Sequence, residues 1–265
     1  MTKKIAIVTG GSSGIGRYAA TALKNKGCKV YEFSRRDIPN EGITHITADV
    51  TDETQLQKAI SQIIDADGKI DILVNCAGFG ISGAVEFTEL SDAKAQFDVN
   101  FFGTVNATKA VLPYMRENGS GRIVNISSVA AVAHIPFQTY YSASKAALES
   151  YTSCLANEVR PFGISVTAIE PGDICTEFTQ ARKKSSAGDD IYGGRISKSV
   201  AGMERDEQKG MKPETAGEYI AKIALKKNVK PVYAIGAVYK LLSVLCKVFP
   251  CSARNRIVGM LYSGK

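Results

Sequence analysis

The sequence predicts an α/β fold, an open, doubly wound parallel sheet with helices on both faces. Three observations predict it. Short apolar runs alternate with longer helical segments along the chain. A glycine-rich turn, Thr9-Gly-Gly-Ser-Ser-Gly-Ile-Gly16, separates the first run from the first helical segment. The length, 265 residues, suffices for one domain with a full hydrophobic core, so residues 1–265 are read as a single unit.

The elements follow in order. Residues 5–8 are four apolar side chains in a row, the pattern of a strand buried on both faces. A helix over 14–25 ends at Gly27. Strands at 29–33 and 43–48 follow, then a helix over 54–64 and a fourth strand at 70–74. A long helical segment covers 93–114. Strand five spans 121–126, the next helix 141–159, and strand six 164–169. A later helix covers 216–225 and a last strand 232–235. Residues 176–211 stand apart, with Lys183-Lys-Ser-Ser-Ala-Gly-Asp-Asp190, Gly193-Gly194 and little strong periodicity. They follow strand six at the carboxyl edge of the sheet, where open α/β sheets bind ligands, and are read as a lid.

Composition narrows the function classes. The chain carries a formal charge of +7, but nine of its 33 Lys/Arg and none of its 26 Asp/Glu lie after Glu218. The basicity therefore belongs to the C-terminal tail, and no aromatic-basic interleaving of a nucleic-acid surface is visible. No apolar stretch approaches the ~20 residues of a transmembrane helix. The N-terminal apolar run is too short for a signal peptide. Six scattered cysteines with no CxxC predict reduced thiols, a cytoplasmic protein and no metal site.

The glycine turn is the first candidate site. Gly10, Gly14 and Gly16 allow a tight turn and a close backbone approach, so the amides and dipole of the helix start face an anion such as a pyrophosphate. Gly10, Ser12, Ser13, Gly14, Ile15 and Gly16 are the candidate contacts. A dinucleotide site that prefers NAD usually places an acid at the end of strand two, for the ribose 2′-hydroxyl. Here that position is Ser34, followed by Arg35 and Arg36, and Glu32 lies two residues too early. A carboxylate repels a 2′-phosphate, whereas a guanidinium binds one. The cofactor expected is NADP(H), with Arg17 close by.

Tyr141 and Lys145 are four apart, on one face of a helix. A free tyrosine has a pKa near ~10. A nearby ammonium and a positive nicotinamide ring favour phenolate, so the phenol is expected to titrate lower and to exchange a proton with a carbonyl or alcohol oxygen. Tyr140 is a rival, but the residue four positions after it is Ser144.

The spacing Gly-x3-Gly-x-Gly, together with Asn75-Cys-Ala-Gly78, Asn100, Ser128, Tyr141-Ser-Ala-Ser-Lys145 and Pro171-Gly172, resembles the classical short-chain dehydrogenase/reductase family over roughly residues 3–235. The resemblance implies a Rossmann-type fold and a catalytic set of Asn100, Ser128, Tyr141 and Lys145. By it, Ser128 holds the substrate oxygen, Lys145 binds the nicotinamide ribose and tunes Tyr141, and Asn100 orders a relay water. It also implies cofactor contacts from Asp49 and Val50 to the adenine, and from Asn75, Ala77 and Gly78 in the turn that braces the sheet. Pro171 and Gly172 would touch the nicotinamide, Ile174 its ring and Thr176 its carboxamide, with transfer of the pro-S hydride. Cys76 stands where the family has a second Asn. Homodimers or homotetramers through the Asn100 and Tyr141 helices are a further implication.

Substrate signals are weaker. Phe79, Ile81, Val129, His134, Ile135, Phe137 and Phe178 flank the motifs, and most are apolar. With Phe178, Ile191 and Tyr192 of the lid they suggest a small hydrophobic carbonyl or alcohol, such as a steroid, retinoid or long-chain ketone. In the tail, about residues 237–265, Val238, Leu241, Leu242, Leu245 and Phe249 fall at helical spacing with Lys240 and Lys247 between them. This strip either caps the core or a subunit interface, or makes peripheral contact with an anionic membrane. Such a basic tail resembles the 17β-hydroxysteroid/retinol dehydrogenase-like branch. The alternatives kept are a β-ketoacyl reductase of lipid synthesis, a noncatalytic NADP(H)-binding sensor, and a module whose function is membrane binding by the tail.

Overall fold

The computed structural model describes residues 3–262. Seven strands form one parallel sheet: β1 (Ile5–Thr9), β2 (Lys29–Ser34), β3 (Thr44–Thr47), β4 (Ile72–Asn75), β5 (Gly121–Ile126), β6 (Ile164–Glu170) and β7 (Val232–Ala234). Their spatial order is β3-β2-β1-β4-β5-β6-β7. The chain runs outward from β1 to β3, then returns to the other side of β1 with β4. The reversal between β1 and β4 opens the crevice in which such sheets bind ligands.

The strands form where apolar runs are long enough to be buried on both faces. Every residue of β1 and β4 is buried. The edge strand β3, Thr-His-Ile-Thr, is polar and stays partly exposed. Strand ends differ from the sequence expectation by one or two residues because pairing sets them. β4 starts at Ile72, where it first pairs with Ala6 of β1 and Arg122 of β5, and runs on to Asn75.

Helices α1 (Gly14–Asn25) and α2 (Glu53–Asp67) follow β1 and β3. Asp52 caps α2 by accepting from the amides of Thr54 and Gln55 at 2.9 and 3.0 Å, and Gly68 ends it in the left-handed conformation. The predicted helix over 93–114 is longer and interrupted. It consists of α3 (Leu90–Phe97), a π-helical turn (Asp98–Phe102) and α4 (Gly103–Glu117). Wide turns of this kind cluster at functional sites, and this one holds Asn100 fully buried. Helix α5 (Thr139–Val159) buries Ser142, Lys145, Leu148, Thr152, Leu155 and Val159, a stripe at three- and four-residue spacing. Lys145 thus points toward the sheet with the leucines.

One apolar layer lies under α2, α4 and α5, with Leu56, Ile60, Val111 and Met115 in it. The opposite layer lies under α1 and α7 (Pro213–Ala224), with Ala19, Leu23, Ile220 and Ile223.

The expected lid is more ordered than its sequence suggests. It contains a short helix (Phe178–Ala181), a short strand (Lys183–Lys184) paired with Ile81–Ser82, and α6 (Arg195–Gln208). Only Ile196, Ser199, Val200 and Met203 of α6 are buried. One narrow stripe in a polar segment gives little periodic signal. The tail forms α8 (Ala237–Val248) and α9 (Cys251–Tyr262).

Candidate active site

A cleft of about 1160 Å³ opens at the carboxyl ends of the central strands. It exceeds the ~300–1,000 Å³ of common ligand pockets, which suits a dinucleotide and a substrate together. Its floor at one end is the turn from β1 into α1. Gly10 there has φ +68°, open to glycine at little cost, and any Cβ on Gly16 would overlap the Gly10 carbonyl. The amides of the first helical turn have no carbonyl one turn back and can receive an anion. Thr9 fixes the neighbouring turn: its hydroxyl oxygen accepts from the amides of Cys76 and Ala77, both at 3.2 Å.

Gly10, Ser12, Ser13, Gly14, Ile15, Gly16, Ser34, Arg35, Arg36, Asp49, Val50, Ala77, Gly78, Pro171, Gly172, Ile174 and Thr176 all line this cleft, as do Ser128, Tyr141 and Lys145. Arg17 joins Arg35 and Arg36 there, giving a cationic end fit for a 2′-phosphate. Glu32 does not line the cleft. Its carboxylate is buried, paired with His45 and within 3.2 Å of the Ser34 hydroxyl. The acid that would repel a 2′-phosphate is thus held under the strand.

Two expected site residues lie behind the surface. Asn75 donates to Asn125 Oδ1 at 2.9 Å and joins β4 to β5, so only its turn reaches the cleft. Asn100 accepts from the Phe79 amide at 2.9 Å and donates to the Phe79 carbonyl at 3.0 Å. Its Oδ1 and Lys145 Nζ both border Gly78. Asn100 therefore holds the floor beside Lys145 rather than facing the cleft.

Ser128, Tyr141 and Lys145 meet at one point. Ser128 stands beside the Tyr141 phenol and favours its ionised form, and Lys145 Nζ lies 5.8 Å from the centre of its ring. Lys145 donates to the Ile126 carbonyl at 2.8 Å. Burial pushes the Tyr141 phenol up to about 12, partly opposed by Ser128 and the Arg182 charge and reinforced by Glu207. Within the protein alone, desolvation outweighs its neighbours, whereas the lowering expected from the sequence also counts the positive charge of the nicotinamide ring. Burial drives Lys145 down to about 8, with Cys76 and Glu149 pulling it back upward.

The substrate end has residues that sequence reasoning did not place. Phe79, Val129, Ile135 and Phe178 line it as expected, and Phe178 packs 5.7 Å from the Tyr141 ring. Ile81, His134 and Phe137 do not line it. Nor do Ile191 and Tyr192: Tyr192 packs on Phe87 and Phe137 outside the cleft, so of the three apolar lid residues expected there only Phe178 reaches it. Asp173, Arg182, Asp206 and Glu207 add charge, and Tyr239 and Tyr262 of the tail form part of the wall. Tyr239 donates to Asp173, and a Cβ on Gly172 would overlap its ring. Arg182, Asp206, Glu207, Tyr239 and Tyr262 carry no local motif because they come from elements distant in sequence, and Asp173 lies just past the Pro171-Gly172 motif. Behind Lys145, Ser127 donates to Glu149 at 2.8 Å. Burial and the adjacent Glu170 charge push Glu149 up to about 7.

Among the described residues no group of His, Cys, Asp and Glu could hold a metal, and no helix is long and apolar enough to cross a membrane.

Residues 4–187 match the family model of the short chain dehydrogenases. A 3-ketodihydrosphingosine reductase of Bacteroides thetaiotaomicron is 42% identical over 231 residues, 86% of each chain. A short-chain dehydrogenase from Streptomyces avermitilis has the same architecture, with a TM-score of 0.82 and 32% identity over 92% of each chain. The protein ElxO, solved with NADP bound, is 29% identical with a TM-score of 0.76, covering 91% of this chain and all of its own.

Proposed function

The chain belongs to the short-chain dehydrogenase/reductase family, and we propose that it reduces a long-chain ketone of the 3-ketodihydrosphingosine kind to the alcohol. It is an NADP-dependent oxidoreductase acting on a small substrate; the finer reading concerns substrate, direction and residue roles. The observation that carries it is the convergence of Ser128, Tyr141 and Lys145 on a cleft whose far wall is apolar and aromatic.

NADPH would supply the hydride, and the Gly10–Gly16 turn together with Arg17, Arg35 and Arg36 would hold it. The chain does the rest. Ser128 orients the substrate carbonyl oxygen. Tyr141, whose high pKa keeps the phenol protonated at neutral pH, donates its proton to that oxygen as charge develops on it. Lys145 places a positive charge beside the phenolate that remains, and Asn100 holds the floor at Phe79 and Gly78. A protonated resting Tyr141 suits reduction rather than oxidation.

Substrate choice rests on the wall. Phe79, Phe178, Met203, Tyr239 and Tyr262 offer apolar surface for a chain. Asp173, Asp206 and Glu207 against the single Arg182 suit a polar or cationic group close to the carbonyl. The 42% relative acts, by its name, on 3-ketodihydrosphingosine. Retinal and the simple 3- and 17-ketosteroids lack such a polar group beside the reacting carbon. Homodimers through the α4 and α5 faces complete the reading, where half-exposed Phe102 meets Phe101 edge-on beside Tyr151.

NADPH consumption against 3-ketodihydrosphingosine, a ketosteroid, retinal and a β-ketoacyl thioester tests this. The reading requires the highest kcat/KM on the first. A preference for the thioester would move the protein to fatty-acid chemistry.

A further inference from the structure

Helix α8 is apolar on both sides. Its inner stripe, Tyr239, Leu242, Ser243 and Cys246, packs on the domain. Its outer stripe remains bare: Val238 is 73% exposed, Leu241 61% and Val248 76%, with Val244, Leu245 and Phe249 also exposed. Helix α9 also exposes large apolar side chains, Ile257, Met260 and Leu261. Monomeric soluble proteins rarely leave so many large apolar side chains contiguous.

The helices are fixed to the domain. Lys247 donates to buried Glu170 at 2.7 Å, Arg254 to the Cys246 carbonyl at 3.1 Å, and Tyr239 to Asp173. The bare stripe is therefore presented by a docked element.

Charge selects the occupant. No Asp or Glu follows Glu218, while Lys240 and Arg256 are exposed beside the apolar residues. A second copy docking through the same face would bring like charges together, which opposes an isologous contact. Anionic lipid headgroups complement the cations, and acyl chains complement the apolar stripe. We propose that the outer face of α8 and α9 docks the protein on an anionic membrane surface. The same two helices supply Tyr239 and Tyr262 to the cleft wall, so docking places the substrate end of the cleft beside the bilayer. The inference does not depend on which substrate the cleft takes.

Co-sedimentation of the full chain with phosphatidylcholine vesicles, with and without phosphatidylglycerol, tests it. The protein should pellet with the anionic vesicles, and added salt should release it. The triple variant Leu241→Ser, Val244→Ser, Val248→Ser should bind about tenfold or more weakly while keeping NADPH-dependent turnover of a short water-soluble ketone. The charge variant Lys240→Glu with Arg256→Glu should do the same, each cation having an effect on the order of several-fold. No pelleting with either vesicle, or equal pelleting with both regardless of salt, would overturn the proposal. So would a triple variant that still pellets, or that shifts from a dimer to a monomer in light scattering without any vesicle binding in the parent.

Discussion

Lys247, on the first tail helix, donates a 2.7 Å hydrogen bond to Glu170, a carboxylate with no exposed surface at the end of β6. The bond ties the tail to the strand that leads into Pro171 and Gly172. Removing the lysine leaves a buried carboxylate without its charged partner, which costs about 1–2 kcal/mol because the lysine itself is half exposed to solvent. Lys247→Met should lower stability by about that much in urea unfolding at pH 7. Lys247→Met combined with Glu170→Gln should recover much of the loss.

Glu149 faces the same cluster, and its pH behaviour has a definite sign. Its carboxyl is raised to about 7 in the fold, above the unfolded value of ~4.3. The unfolded chain releases this proton first, so stability is lost as pH rises from about 4.5 to 7 and stays lower above that. Glu149→Gln removes the penalty. The variant should exceed the parent by about 1–3 kcal/mol at pH 8, and the difference should vanish near pH 4.5. Thermal unfolding at several pH values reads this directly.

Ketone reduction requires the proton on Tyr141 and the charge on Lys145. With Lys145 lowered to about 8 and Tyr141 raised to about 12, kcat for reduction should fall above about pH 8. Lys145→Arg, which holds its charge, should move the fall upward in whatever activity it retains.

The cationic end of the cleft sets cofactor choice. Arg35→Ala with Arg36→Ala should weaken NADPH binding by roughly ten- to a hundredfold, the value of a charge-assisted bond, and leave NADH binding nearly unchanged. Fluorescence titration with both cofactors measures the ratio. Equal losses would remove the arginines from 2′-phosphate recognition.

Much of this was legible in the sequence because the residues concerned are local. The Gly10–Gly16 turn, Ser34 with the two arginines, and Tyr141 with Lys145 each declare themselves within a few positions. The strands were legible because burial on both faces leaves continuous apolar runs. What stayed hidden depends on distant parts meeting. Tyr239 reaches Asp173 across 66 residues, and Arg182 meets Glu207 across 25. The π turn at Asn100 leaves no mark in composition. The raised Tyr141 pKa follows from burial, which no four-residue spacing encodes. The lid helix α6 was obscured because its few buried side chains sit among charged ones.

The most direct measurement is a single-turnover assay of NADPH oxidation with 3-ketodihydrosphingosine, comparing the parent with Tyr141→Phe. Tyr141 as proton donor predicts a rate reduced roughly a hundredfold to ten-thousandfold, with NADPH affinity retained. A Tyr141→Phe rate close to the parent's would show that the proton comes from elsewhere and would contradict the account.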